Sequence, residues 1–113
     1  MPRFMILVLS NPATEAGATP TEMSEMKKFN DTLREAGMLE LAEGLAPTAE
    51  GYRVSFESGD GVGFDKVEEG PFENTISGYW IVKAKSIDAV LEAATRIPFR
   101  VGKVEVRRII GDE

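Results

Sequence analysis

The stretch Ile76-Ser-Gly-Tyr-Trp-Ile-Val82 constrains the fold more than any other part of the chain. Its residues are β-branched, aromatic or small and none is charged, so it reads as a strand covered on both faces and therefore central in a sheet. A tight polar turn runs straight into it. In Glu68-Glu-Gly-Pro-Phe-Glu-Asn-Thr75 the glycine tolerates φ > 0, and the proline fixes its own φ and offers no N–H. Residues 68–82 are thus expected to supply both core and the rim of any pocket.

A central strand needs neighbours and a covering layer. Phe4-Met-Ile-Leu-Val-Leu9 is a continuous apolar run that predicts a buried strand, closed by Ser10-Asn11-Pro12 and a loop through residue 19. Thr19-Pro20-Thr21-Glu22 has the spacing of a capping box, with threonine as N-cap, proline at the first helical position and glutamate at the third. Met23, Met26, Phe29, Leu33 and Ala36 then share one helical face, and Gly37 is placed to end the helix. The Met23/Met26 pair reads as core, with the lining of a ligand cavity as the alternative. Met38–Ala42 alternates as a half-buried strand, and Tyr52–Phe56 alternates before a glycine-rich hairpin turn at 58–64. Gly59, Gly61 and Gly63 have a phosphate cradle as their alternative reading, which is disfavoured because no helix pattern follows and no lysine sits where one is needed. Ser86 caps a second helix with Ile87, Val90, Leu91 and Ala94 on one face, ending before Pro98, and Val104–Ile110 is a last strand. The order is β-α-β, an inserted hairpin, then β-α-β. It predicts an α+β, ferredoxin-like split βαβ fold with a four-stranded antiparallel sheet and two helices on one face.

Length and composition narrow the function. At 113 residues the chain is expected to be one domain. Thirteen basic against nineteen acidic residues give a net charge of −6, which disfavours a phosphate-backbone partner or an anionic membrane. Arg100, Lys103 and Arg107-Arg108 form a modest basic end that reads as solubilising charge. The absence of cysteine excludes disulfides, thiol chemistry and thiolate-bound metal, and the absence of histidine removes the commonest acid–base group at neutral pH. Phe4–Leu9 is too short for a membrane span and is not built like a signal peptide. A cytoplasmic protein without metal or cofactor is expected.

Four short motifs, Glu43-Gly44-Leu45 with Pro47, Glu69-Gly70-Pro71-Phe72, Gly78-Tyr79-Trp80 and Val104-Glu105-Val106-Arg107, resemble in order the YCII-related family, specifically the branch named for its Asp-Gly-Pro-Phe motif. The likeness spans nearly the whole chain. It implies a ferredoxin-like monomer that pairs through its sheet into a dimeric α/β barrel, hence a homodimer. The chain departs from the branch in carrying Glu69 in place of aspartate and in shortening the polar segment after Phe72 to Glu73-Asn74-Thr75. Relatives place a suspected catalytic histidine on the first helix, where this chain has methionine or phenylalanine.

Candidate chemistry rests on few residues. Glu43 and Glu69 are candidate catalytic carboxylates, able to shuttle a proton if one has a raised pKa. The competing role for a carboxylate beside glycine and proline is to accept backbone N–H groups and fix the turn. Asn74, Thr75 and Tyr79 are candidate ligand contacts, and Asn74 and Thr75 can equally cap the turn into the central strand. Tyr79 and Trp80 must point to opposite faces, with Trp80 read as packing. No metal site is expected, because nothing gathers the several carboxylates it would need. Two functions stay open. One is a small protein binding a small organic molecule in the helix–sheet cleft under the Glu69–Thr75 loop, with carboxylate-mediated proton transfer or lyase-type chemistry; the other is a non-catalytic homodimeric interaction or regulatory module.

Overall fold

The computed structural model describes residues 1–10, 18–56, 63 and 66–111. Six strands and two helices follow one another as β1 (Arg3–Ser10), α1 (Pro20–Glu35), β2 (Leu39–Gly44), β3 (Tyr52–Ser55), β4 (Lys66–Glu69), β5 (Thr75–Lys83), α2 (Ile87–Thr95) and β6 (Lys103–Arg108). A short 3₁₀ turn at Thr48–Glu50 precedes β3. The main sheet has the order β2-β5-β1-β6, with every neighbour antiparallel. That is the ferredoxin-like arrangement, and β5 lies inside the sheet as its apolar run predicts. Among the described residues β3 and β4 pair with each other alone, as the expected inserted hairpin. Most of its expected turn, including Gly59 and Gly61, lies outside the described residues.

Local chemistry sets the helix ends. The Thr19 hydroxyl accepts the Glu22 N–H at 3.1 Å, and the Glu22 carboxylate accepts the Thr19 N–H at 3.2 Å, so the capping box satisfies two otherwise orphaned donors. At the other end Gly37 takes φ +73°, the Gly37 N–H reaches the Arg34 carbonyl and the Met38 N–H reaches that of Leu33. This pattern of crossed bonds requires a left-handed residue, which glycine adopts without strain.

The core lies between the helices and one sheet face. Phe4, Ile6, Trp80 and Val82 from the sheet meet Phe29 and Leu33 of α1 and Val90 and Ala93 of α2, all buried. Full burial of a side chain such as Val82 or Ile6 is worth about 1.5–3 kcal/mol. Trp80 adds an edge-to-face contact with Phe29, ring centroids 5.9 Å apart.

Two expected faces differ from what forms. On α1 burial falls steadily from Leu33 and Phe29 through half-buried Met26 to Met23, which is 62% exposed, so the first turns of the helix stand away from the sheet. Met23 is therefore not a core residue. On α2 the buried line runs Val90–Ala93–Ile97, while Ile87 and Leu91 remain substantially exposed at its flank.

Among the described residues no helix covers the opposite sheet face. Its register places Leu41, Ile81, Met5 and Arg107 in one row and Glu43, Tyr79, Leu7 and Glu105 in the next. Each row has apolar or aromatic residues at its centre, and the central ones are half-buried by their neighbours alone.

Candidate functional site

The signature turn is held from outside itself. Gly70 donates its N–H to the Gly51 carbonyl at 2.8 Å, and Phe72 donates to the hydroxyl of buried Thr48 at 3.2 Å. A Cβ on Gly70 would lie 1.8 Å from the Thr48 carbonyl oxygen, so the Thr48–Glu50 turn sits where any side chain at 70 would go. The Gly70–Pro71 peptide is cis. Arg53 lies over the Phe72 ring at 4.2 Å and donates to the Glu73 carbonyl at 3.1 Å, bracing the far side of the loop.

The five residues singled out from the sequence fall into two groups. Glu43 and Tyr79 are cross-strand partners on the helix-free face, Glu43 exposed and Tyr79 half-buried. Glu69, Asn74 and Thr75 belong to the hairpin base and the signature turn. Glu43 and Glu69 stand on different sheets, and neither carboxylate takes a hydrogen bond or an ion pair among the described residues. Glu69 is exposed and opposes Tyr52 across the hairpin. The backbone donors expected to converge on it go instead to Gly51 and Thr48, which lie earlier in the chain. Asn74 adopts φ +53°, a left-handed conformation that asparagine tolerates better than most residues, and the Thr75 hydroxyl donates to the Ser10 carbonyl at 3.3 Å. Both act within the turn into β5. Among the described residues no three acidic side chains gather as a cation would need, and no helix is long and apolar enough to cross a membrane.

Among the described residues two hollows with room for a ligand stand out. One, of about 330 Å³, lies beneath the signature loop between Leu45, Pro47, Phe72 and Ile76, with Arg53 and Thr75 among its polar lining. Those polar groups already serve the loop, Arg53 on Phe72 and Glu73 and Thr75 on Ser10.

The larger, about 590 Å³, is a groove between α1 and the Pro98-Phe99 segment. It exists because the first turns of α1 stand off the sheet. Met23, Met26, Pro98 and Phe99 form apolar walls, and Phe99 also contacts Trp80 from below, with centroids 6.3 Å apart. Asn30 and Asp31 are half-buried polar groups of its lining, and the Asn30 carboxamide oxygen accepts the Trp80 indole N–H at 2.7 Å. Because indole can only donate, this bond fixes the amide with its oxygen inward. The two Nδ2 hydrogens then have no partner among the described residues.

Charge around this groove is uneven. Asp31 is shared by Lys27 at 3.2 Å and Arg34 at 2.8 Å, two cations on one carboxylate, which leaves one positive charge in excess there. At the opposite end Arg100 is shared by Glu25 at 3.1 Å and Glu22 at 4.0 Å, Glu22 is held by its cap, and the backbone N–H of Thr19, then its hydroxyl, keep the Glu22 carboxyl below its ordinary pKa of 4.5. Sequence reasoning left Asn30 and Phe99 out of the candidate site. The available signal was that a buried tryptophan needs an acceptor, and asparagine beside Phe29 on a helix facing that strand is a natural one.

In the comparison with protein families, the model described as YCII-related domain matches residues 2–111. Comparison with curated proteins finds no match.

Proposed function

We infer, from the premise that the chain belongs to the YCII-related family, that it is a homodimeric protein binding a small organic molecule in the groove between α1 and Phe99. The observation that carries this reading is an apolar groove of about 590 Å³ whose half-buried amide has unspent donors. Ligand sites typically combine such volume and apolar walls with a few placed polar groups. The hollow beneath the signature loop is smaller, and its arginine and threonine are already engaged. The Glu69-Gly70-Pro71-Phe72 turn supports membership of the branch with the Asp-Gly-Pro-Phe motif. Glu43 and Glu69, on separate sheets, give paired-carboxylate catalysis no geometric support, so binding is preferred here to proton transfer or lyase chemistry.

The chain has five methionines, which makes the test direct. With ¹³C-methyl methionine, fragments that bind the groove are expected to move the Met23 and Met26 signals and leave Met1, Met5 and Met38 in place. Binders that move Met5 or Met38 alone would put the site elsewhere.

The dimer reading rests on a separate observation, the helix-free sheet face with Met5, Leu7, Leu41, Tyr79 and Ile81 across its centre. Pairing two such faces would bury more than about 1,000 Å² in total, and would set Glu43 and Tyr79 at the interface. Sedimentation should give twice 12.4 kDa, and Ile81→Asp should give monomer. Wild-type protein sedimenting as a monomer at micromolar concentration would overturn the pairing.

A further inference from the structure

We propose that the groove selects flat aromatic molecules bearing a carboxylate or carbonyl oxygen, with Asn30 as the residue that reads that oxygen. The proposal rests on the reading of the groove as the ligand site and adds the chemistry of what enters it. Three features set that chemistry. The Trp80 indole occupies the Asn30 oxygen at 2.7 Å, so the group Asn30 has left for a ligand is a pair of N–H donors, which can only meet an acceptor. Met23 and Met26 present thioethers, which are polarisable and favour aromatic rings, and Phe99 offers a ring on the other wall. Lys27 and Arg34 outnumber Asp31 beside them, so a carboxylate meets one excess positive charge there, whereas at the far end Glu25 and Glu22 share Arg100, at 3.1 and 4.0 Å, and leave one negative charge that turns a carboxylate towards the Lys27–Arg34 end. An ammonium-bearing ring of the same shape gains the walls but leaves the amide hydrogens without an acceptor. Asn30 is a binding residue in this account, and Trp80, which never reaches the ligand, positions it.

Three probes of one shape test the proposal: 2-naphthoate, 2-naphthamide and 2-naphthylmethylamine, followed by the Met23 and Met26 methyl signals and by the Asn30 side-chain and Trp80 indole N–H signals. Naphthoate and naphthamide are expected to bind about tenfold or more tightly than the amine, the size of one hydrogen bond to a well-placed donor, and to shift the Asn30 amide pair. Asn30→Asp keeps an acceptor for the Trp80 indole but removes both donors, so it should erase or reverse that preference. Binding of all three probes with equal affinity, unchanged in Asn30→Asp, would overturn the proposal and leave the groove as an apolar site. Binding of naphthoate without naphthamide would also overturn it, because Lys27 and Arg34 would then be selecting charge without Asn30. No shift of Met23 or Met26 with any probe would overturn the groove reading itself. The comparison of probes on the wild-type protein does not depend on the variant folding.

Discussion

Replacing Gly70 by alanine should be among the most damaging single-methyl additions this chain can receive. The new Cβ would lie 1.8 Å from the Thr48 carbonyl oxygen, 2.9 Å from its carbon and 3.3 Å from the Gly51 carbonyl oxygen. All three are backbone atoms, so no side-chain rotation relieves the overlap. The loop must retreat by more than about 1 Å to restore contact distance, and that motion breaks the Gly70-to-Gly51 and Phe72-to-Thr48 hydrogen bonds. Two such bonds at about 0.5–1.5 kcal/mol each, with overpacking strain of about 1–3 kcal/mol, give a loss of about 4 kcal/mol. For a chain of this length, an unfolding entropy of about 2.1 cal/mol/K per residue converts that into a fall in Tm of about 17 °C. Gly44→Ala is the control, since nothing lies within 4 Å of its added Cβ, and it should change stability by no more than about 0.5 kcal/mol. Thermal and urea melts of both variants decide the matter. A Gly70→Ala protein melting within about 3 °C of wild type would show that the Thr48 turn does not grip the signature loop.

The same grip can be loosened from the other side: Thr48→Val keeps the shape but removes the acceptor of the Phe72 N–H, and the urea midpoint should report a loss of about 1–2 kcal/mol. Glu69→Ala and Glu69→Gln should each stay within about 0.5 kcal/mol of wild type, because Glu69 is exposed and engages nothing among the described residues; a clear loss in the alanine variant alone would restore the turn-fixing role. Glu22 has its pKa lowered in the folded state, so its contribution is present above the ordinary value of 4.5 and fades as pH falls through the depressed one. The Tm gap between wild type and Glu22→Gln should accordingly shrink between about pH 6 and about pH 3, and a gap independent of pH would refute the linkage.

What could be read from the sequence was what local chemistry decides. The capping box at Thr19–Glu22 and the glycine end at Gly37 depend on residues within one turn of each other, and both form as expected. The apolar run at 76–82 predicts an interior strand because no edge strand needs such residues, and β5 lies between β2 and β1. What escaped depends on contacts between distant segments. Periodicity places Met23 on the same face as Phe29 and Leu33, but it cannot say that the helix leaves the sheet before Met23 is reached. β4, Lys66-Val-Glu-Glu69, is exposed at every residue and carries no burial pattern to read. The partner of the signature glycine is a threonine in a different turn, so proximity in sequence pointed to Glu69 instead. Asn30 gains its meaning only from Trp80 across the core.

The hairpin lies on a detour that begins and ends at one point. β2 and β5 are already paired at Gly44 and Gly78, and the Leu45 N–H reaches the Ser77 carbonyl at 2.9 Å, so residues 46–74 leave the sheet and return beside their point of departure. A loop whose ends are pinned by the body of the fold changes its closure entropy only with the logarithm of its length. Sequence can therefore be inserted or removed at the far end of β3 and β4 at a cost of fractions of a kcal/mol, while the Thr48–Gly70 clasp at the base keeps the two ends in register. That arm is a place where length and surface can change independently of the four-stranded sheet, and a peptide grafted there is expected to be displayed without disturbing the core.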